Sequence, residues 1–143
     1  MYNKKKVLFL CTGNSCRSQM AEAWTRHLRG DMYEPYSAGV LPKGVDPRAV
    51  RVMAEVGIDI SKQGSKDLES LADMEFEYVV TLCDHAREVC PLFPAKTRLL
   101  HQGFDDPPAI AKRAASEEEA MEPYRRVRDE IRAFVKRLPE ILS

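Results

Sequence analysis

A chain of 143 residues has the length of one domain, spanning 1–143, and can bury roughly two-thirds of its unfolded surface without a disulfide or metal staple. The balance of 22 Lys plus Arg against 22 Asp plus Glu, with 44% apolar residues, excludes a disordered chain and lacks the basic excess of a nucleic-acid binder. No apolar run is long enough to span a membrane, and the five apolar residues after Lys6 are too few for a secretory signal, so a cytoplasmic location is expected. Thiols stay reduced there, so the 4 cysteines point to redox or metal chemistry rather than to a structural framework.

Val7 to Leu10 is a continuous apolar run, the pattern of a strand buried on both faces. It breaks into the polar, turn-forming segment Cys11-Thr12-Gly13-Asn14-Ser15. Met20, Ala23 or Trp24, and Leu28 then recur at helical spacing, and Gly30 closes that helix. Tyr33 to Ala38 is a second, weaker strand, with turn signals at Gly39 and Pro42 to Gly44. Asp46-Pro47 reads as N-cap and first helical position, and Gly57 ends the helix that follows. Leu68 to Ala72 has room for one or two helical turns. Tyr78 to Leu82 is a third strand, rich in β-branched residues, and Thr97 to Leu100 a fourth. The stretch from His101 to Ala109 reads as loop. A last helix begins near Glu117 or Pro123, with Pro123 starting its regular part, and ends before Pro139.

Alternating strands and helices predict a three-layer α/β/α fold around a four-stranded parallel sheet. Ligands in such folds gather at the carboxyl ends of the strands. The loops found there carry Cys11, Cys83 and Asp105-Asp106. Cys11 to Ser18 sets five residues between Cys11 and Arg17. A loop of that length between strand and helix can wrap a tetrahedral oxyanion with the N–H groups of Thr12, Gly13, Asn14, Ser15, Cys16, Arg17 and Ser18. Arg17 clamps two oxygens, and the same field lowers the pKa of Cys11. Gly13 is the expected site of positive φ, Asn14 a brace for the loop, and Ser18 a donor to Cys11. The plainer alternative is a tight turn with a buried free cysteine. The segment lacks the terminal Gly-Lys-Ser or Gly-Lys-Thr of a nucleotide P-loop.

Cys-x5-Arg-Ser after an N-terminal strand resembles the low-molecular-weight protein tyrosine phosphatases. The longer stretch Cys11 to Glu22 resembles more closely the thioredoxin-coupled arsenate reductases, which share that fold. The likeness continues through Tyr36 to Gly39, Val79 to Cys83, Cys90-Pro91, Gly103 to Pro107 and Arg126 to Ile131. It implies that Cys11 attacks arsenate, that Cys83 attacks Cys11 to release arsenite, and that Cys90 then takes over Cys83 in a disulfide that thioredoxin reduces. Asp106, directly before Pro107, becomes the general acid. No cofactor is expected beyond thioredoxin as external reductant. Phosphate or sulfate would mimic arsenate, and a monomer is the default.

A helix over Asp84 to Val89 would hold Cys83 and Cys90 roughly 10 Å apart along its axis, too far for a disulfide, so residues 83 to 91 must rearrange. Ordinary apolar packing is the competing account of this pair, and an Asx-type turn that of Asp106. No zinc-type ligand spacing appears. Cys16 has no place in the relay and is expected in the core. His85 reads as a solvated helix residue. Family members that bind potassium match Asn14, Glu22 and Ser37, but this chain has Ser65-Lys66 where they carry an acid, so a lysine ammonium is expected in the cation's place. The rival function, a phosphatase of aryl or small-molecule esters, needs only Cys11, Arg17 and Asp106.

Overall fold

The computed structural model describes residues 4–71, 73–88, 90 and 93–142. Its strands are β1 (Lys5–Cys11), β2 (Tyr33–Gly39), β3 (Tyr78–Thr81) and β4 (Arg98–His101). They form one parallel sheet in the order β2-β1-β3-β4. The helices are α1 (Arg17–Arg29), α2 (Pro47–Glu55), α3 (Asp84–Glu88), α4 (Pro107–Ala111), α5 (Glu117–Lys136) and α6 (Leu138–Ile141), with a 3₁₀ turn at Leu68–Leu71. The three-layer expectation holds, with unequal layers. Val7, Phe9 and Val80 pack with Met20, Trp24, Val127 and Ile131 on one face. Leu8, Leu10 and Val79 face a thinner cover built from Phe76, Ala86 and partly buried Leu68, Leu71 and Phe93.

The sequence order β1, β2, β3 becomes the spatial order β2-β1-β3, so the chain reverses its direction of winding between β1 and β3. The crevice at such a reversal, outside the carboxyl ends of the strands, is where doubly wound sheets hold ligands. Cys11 ends β1 and Cys83 lies two residues past β3. Leu10 pairs with Thr81 across that boundary, which fixes the two cysteine-bearing loops side by side.

Two elements depart from the sequence reading. The segment expected to be loop through Ala109 enters α4 at Pro107, because Asp106 is extended and two prolines already hold the φ of a first helical turn. Pro123 lies inside α5 rather than at its start. The helix starts two turns earlier because the Ser116 hydroxyl accepts the Glu119 N–H at 3.1 Å, and because Ala120, Met121 and Tyr124 are buried. Apolar burial and a good cap outweigh one lost backbone hydrogen bond. Ala72, Val89 and Pro91, which the sequence reading assigned to the short helix and to the mobile segment, lie outside the described residues.

The helix α5 is tied down by the Arg126 to Ile131 stretch. Arg128 donates to the Val52 carbonyl and to Glu55, each at 2.9 Å, and Arg126 pairs with Asp105 at 3.0 Å. Tyr124 donates to Asp46, the cap of α2, at 2.6 Å. Among the described residues no helix is long and apolar enough to cross a membrane.

Candidate active site

The loop from Cys11 to Cys16 turns its carbonyls outward. The Cys11, Thr12, Gly13 and Ser15 carbonyls accept N–H groups from Val40, Leu41, Lys43 and Asp46 at 2.8 to 3.3 Å. Ser65 Oγ adds a second bond to Gly13, and the buried Gln19 amide holds the Asn14 carbonyl at 2.9 Å. None of the N–H groups of residues 12–16 has a partner among the described residues. A buried or half-buried amide needs an acceptor, so five inward donors at the head of α1 form a nest for an anion. Arg17 completes it. Its guanidinium is 7% exposed, donates to the Phe104 carbonyl at 3.0 Å, and keeps its Nε unpartnered.

The loop is braced from outside. Asn14, fully buried, is the one non-glycine with positive φ among the described residues, at 46°. Gly13, where the sequence placed that conformation, does not adopt it. Asparagine tolerates the left-handed region, and its amide is used on both sides: it accepts the Lys66 N–H at 2.7 Å and donates to Ser18 Oγ at 2.8 Å. Ser18 therefore serves the loop, and its expected bond to Cys11 is not formed. The sequence marks Gly39 as a turn and as the end of the Tyr36 to Gly39 stretch of the family likeness, with no contact to the loop. It ends β2 opposite Cys11, and a Cβ there would lie 2.7 Å from Asn14 N and 2.8 Å from the Thr12 carbonyl. Only glycine lets β2 approach the loop so closely.

Cys83 lies beside the loop. Its sulfur is 3.3 Å from Thr12 Oγ1 and accepts the Ala86 N–H at 3.4 Å. The second bond makes Cys83 the N-cap of α3. Of the two thiols, Cys83 is the one whose charged form the surroundings favour. Its pKa is lowered to about 4, first by the Cys11 thiol donating to it, then by Thr12 and the Ala86 N–H, with Arg17 nearby. The same bond, together with burial, pushes Cys11 well above the ordinary thiol value against the pull of Arg17. The expected lowering of Cys11 is thus reversed, because its neighbour Cys83 and its burial outweigh the pull of Arg17.

Asp106 and Asp105 are adjacent but face different elements. Asp106 Oδ1 is 3.5 Å from Arg17 Nη2, whereas Asp105 pairs with Arg126 on α5. Cys11, Arg17, Lys43, Asp106 and Pro108 line a cavity of about 220 Å³ over the loop. Cys90 is half-buried on the other side of α3, against a cavity of about 340 Å³ lined by Leu10, Val40, Leu68 and Ala86, and burial raises its pKa. Cys16 points into the core at 2% exposure. All 4 thiols are free. His85 is exposed, while His101 bridges Thr81 Oγ1 at 2.8 Å and Asp84 Oδ1 at 3.3 Å.

The residues matching a potassium site do not fit one. Asn14 Oδ1 is taken by the Lys66 N–H, and Ser37 donates to Glu22 at 2.6 Å. The Lys66 ammonium sits 3.9 Å from Glu22 Oε1 and donates to the Gly64 carbonyl at 2.9 Å. A fixed ammonium already compensates the buried carboxylate.

A free-thiol loop with unpartnered amides, a buried arginine and a half-exposed carboxylate define a cysteine-based, oxyanion-handling enzyme fold. The chain belongs to the low molecular weight phosphotyrosine protein phosphatase family, whose model matches residues 6–143. Within that family its relatives include an arsenate reductase of Halalkalibacterium halodurans, 49% identical over 96% of this chain and 97% of the relative. A solved structure described as an arsenate reductase in the phosphate binding state superposes with a TM-score of 0.76 at 31% identity, covering 97% of this chain and 99% of that one. A thioredoxin-dependent arsenate reductase of Corynebacterium glutamicum gives a TM-score of 0.69 at 28% identity, over 96% of this chain and 63% of that one.

Proposed function

We propose that the protein reduces arsenate to arsenite with electrons from its own thiols, and that thioredoxin restores them. The observation that carries this reading is the second thiol: Cys83 meets the anion loop at Thr12, 3.3 Å from its hydroxyl. An ester phosphatase needs no such group, and among the described residues no aromatic side chain lines the cavity over the loop.

Hydrogen arsenate is a tetrahedral dianion that suits five inward amides and Arg17. The Cys11 sulfur bonds to arsenic and one oxygen leaves as water. Thiol plus hydrogen arsenate gives a thioarsenate dianion plus water, so the Cys11 proton departs in that water, relayed by the Asp106 carboxyl. Cys83 enters the next step already charged. It attacks the Cys11 sulfur, the sulfur–arsenic electron pair stays on arsenic, and As(V) becomes As(III). Arsenite leaves, and Cys11–Cys83 remains. The Cys90 thiol gives up its proton as its sulfur displaces Cys11 from Cys83, the released Cys11 sulfur takes a proton up, and a thioredoxin dithiol reduces Cys83–Cys90.

The last exchange requires α3 to open. A disulfide needs Cα atoms about 4.4 to 6.8 Å apart, and α3 separates the two cysteines by a helical rise of 1.5 Å per residue. Its five residues include one buried side chain, Ala86, so the element is weakly held.

Arsenate-dependent NADPH oxidation coupled through thioredoxin and thioredoxin reductase tests the reading. Cys83→Ser and Cys90→Ser are expected to lose multiple turnover, and Cys16→Ser, which keeps its backbone N–H, to retain it. Full activity of Cys83→Ser overturns the relay.

A further inference from the structure

The cavity over the anion loop has one wall that the proposed relay does not use. Lys43, in the loop after β2, lines it together with Asp106 and Pro108. Its backbone N–H holds the Gly13 carbonyl at 2.9 Å. Its stem lies along Gly13: a Cβ on that glycine would be 3.4 Å from Lys43 Cδ and 3.5 Å from Cγ. Beyond that point the exposed Lys43 ammonium has no acceptor among the described residues.

The geometry points to Lys43 as the residue that selects a bare inorganic oxyanion over its esters. This rests on the loop being an oxyanion site. Three oxygens of a tetrahedral anion face the loop amides and Arg17. The fourth points out of the loop, between Asp106 and Lys43. In an inorganic dianion that oxygen carries charge or a proton and can accept from the ammonium. In a monoester it is neutral and bears a carbon group, which must pass the lysine stem packed on Gly13. The same side chain therefore attracts one class of ligand and crowds the other. Lys43 is exposed, so engaging the anion costs its ammonium side-chain freedom that the charge-assisted bond must exceed.

Calorimetric titration of the reduced protein with inorganic phosphate, and separately with phenyl phosphate, tests this without any turnover. Lys43→Met keeps the stem and removes the charge. It is expected to weaken phosphate binding about tenfold, the size of one charge-assisted hydrogen bond, and to change phenyl phosphate binding less than about twofold. Lys43→Arg is expected to restore most of the phosphate affinity, and both variants to melt with the parent. With arsenate as substrate, Lys43→Met raises KM more than it lowers kcat. Phosphate binding unchanged in Lys43→Met, an equal loss for both ligands, or failure of Lys43→Arg to restore affinity overturns the inference. If the parent binds phosphate with this pattern but never turns over arsenate, Lys43 stands and the reductase reading falls.

Discussion

At the level of single residues, the spacing of Cys11 and Arg17 carries the site in the sequence, because loop length alone decides whether the amides can converge. The braces are not legible there. Asn14, Gly39, Gln19 and Lys66 meet only because β1, β2 and the segment near residue 65 are neighbours in the fold. The Ser-Ala-Gly end of β2 was the one signal, and close approach is a reason for glycine that a turn reading hides. Gly39→Ala places a Cβ within 3 Å of three loop atoms and is expected to destabilise the protein by about 1 to 3 kcal/mol and to weaken phosphate binding, read by denaturant melts and calorimetry. Cys83 carries its charge above about pH 4, so the thiolate absorbance at 240 nm persists as the pH falls from about 8 to about 5, where an ordinary thiol is fully protonated. Cys83→Ser is expected to abolish that low-pH absorbance. Because Lys66 fills the cation position beside Glu22, exchanging potassium for sodium or choline leaves phosphate affinity unchanged. A potassium-dependent rise in affinity contradicts this.

At the level of elements, the alternation of apolar runs and helical stripes is enough to give the strands and the long helices, since both periods are strong there. Short elements were harder. The proline-led α4 has too few residues for a periodic signal, and Pro123 masks the cap at Ser116 that starts α5. Ser116→Ala is expected to cost about 1 kcal/mol, seen as a lower denaturant midpoint with unchanged slope. The helix α3 is held at its first turn by the Cys83 sulfur and by the His101–Asp84 contact. Amide exchange at residues 85–88 is expected to speed up in His101→Ala and, more strongly, in the oxidised protein. Identical exchange in reduced and oxidised samples contradicts the opening of α3.

Across the whole molecule, a zero net charge says nothing of an anionic ligand, because the binding field is local: five amides and one arginine. Binding to that field adds stability to the folded state alone. Phosphate at about 100 times its dissociation constant is expected to add about 2.7 kcal/mol, an increment that Arg17→Ala removes, as differential scanning calorimetry can read. One further consequence follows from the sulfur that caps α3. A cap made of serine or aspartate is permanent. A cap made of a reacting thiolate is withdrawn by the reaction itself, since a sulfur drawn into a disulfide toward Cys11 can no longer accept the Ala86 N–H. If the proposed relay operates, the chemistry at the bottom of the crevice would be written on the outer surface, as the presence or absence of one helical turn. A reducing partner would then have no need to probe the buried bond: it would meet one shape before turnover and another after it.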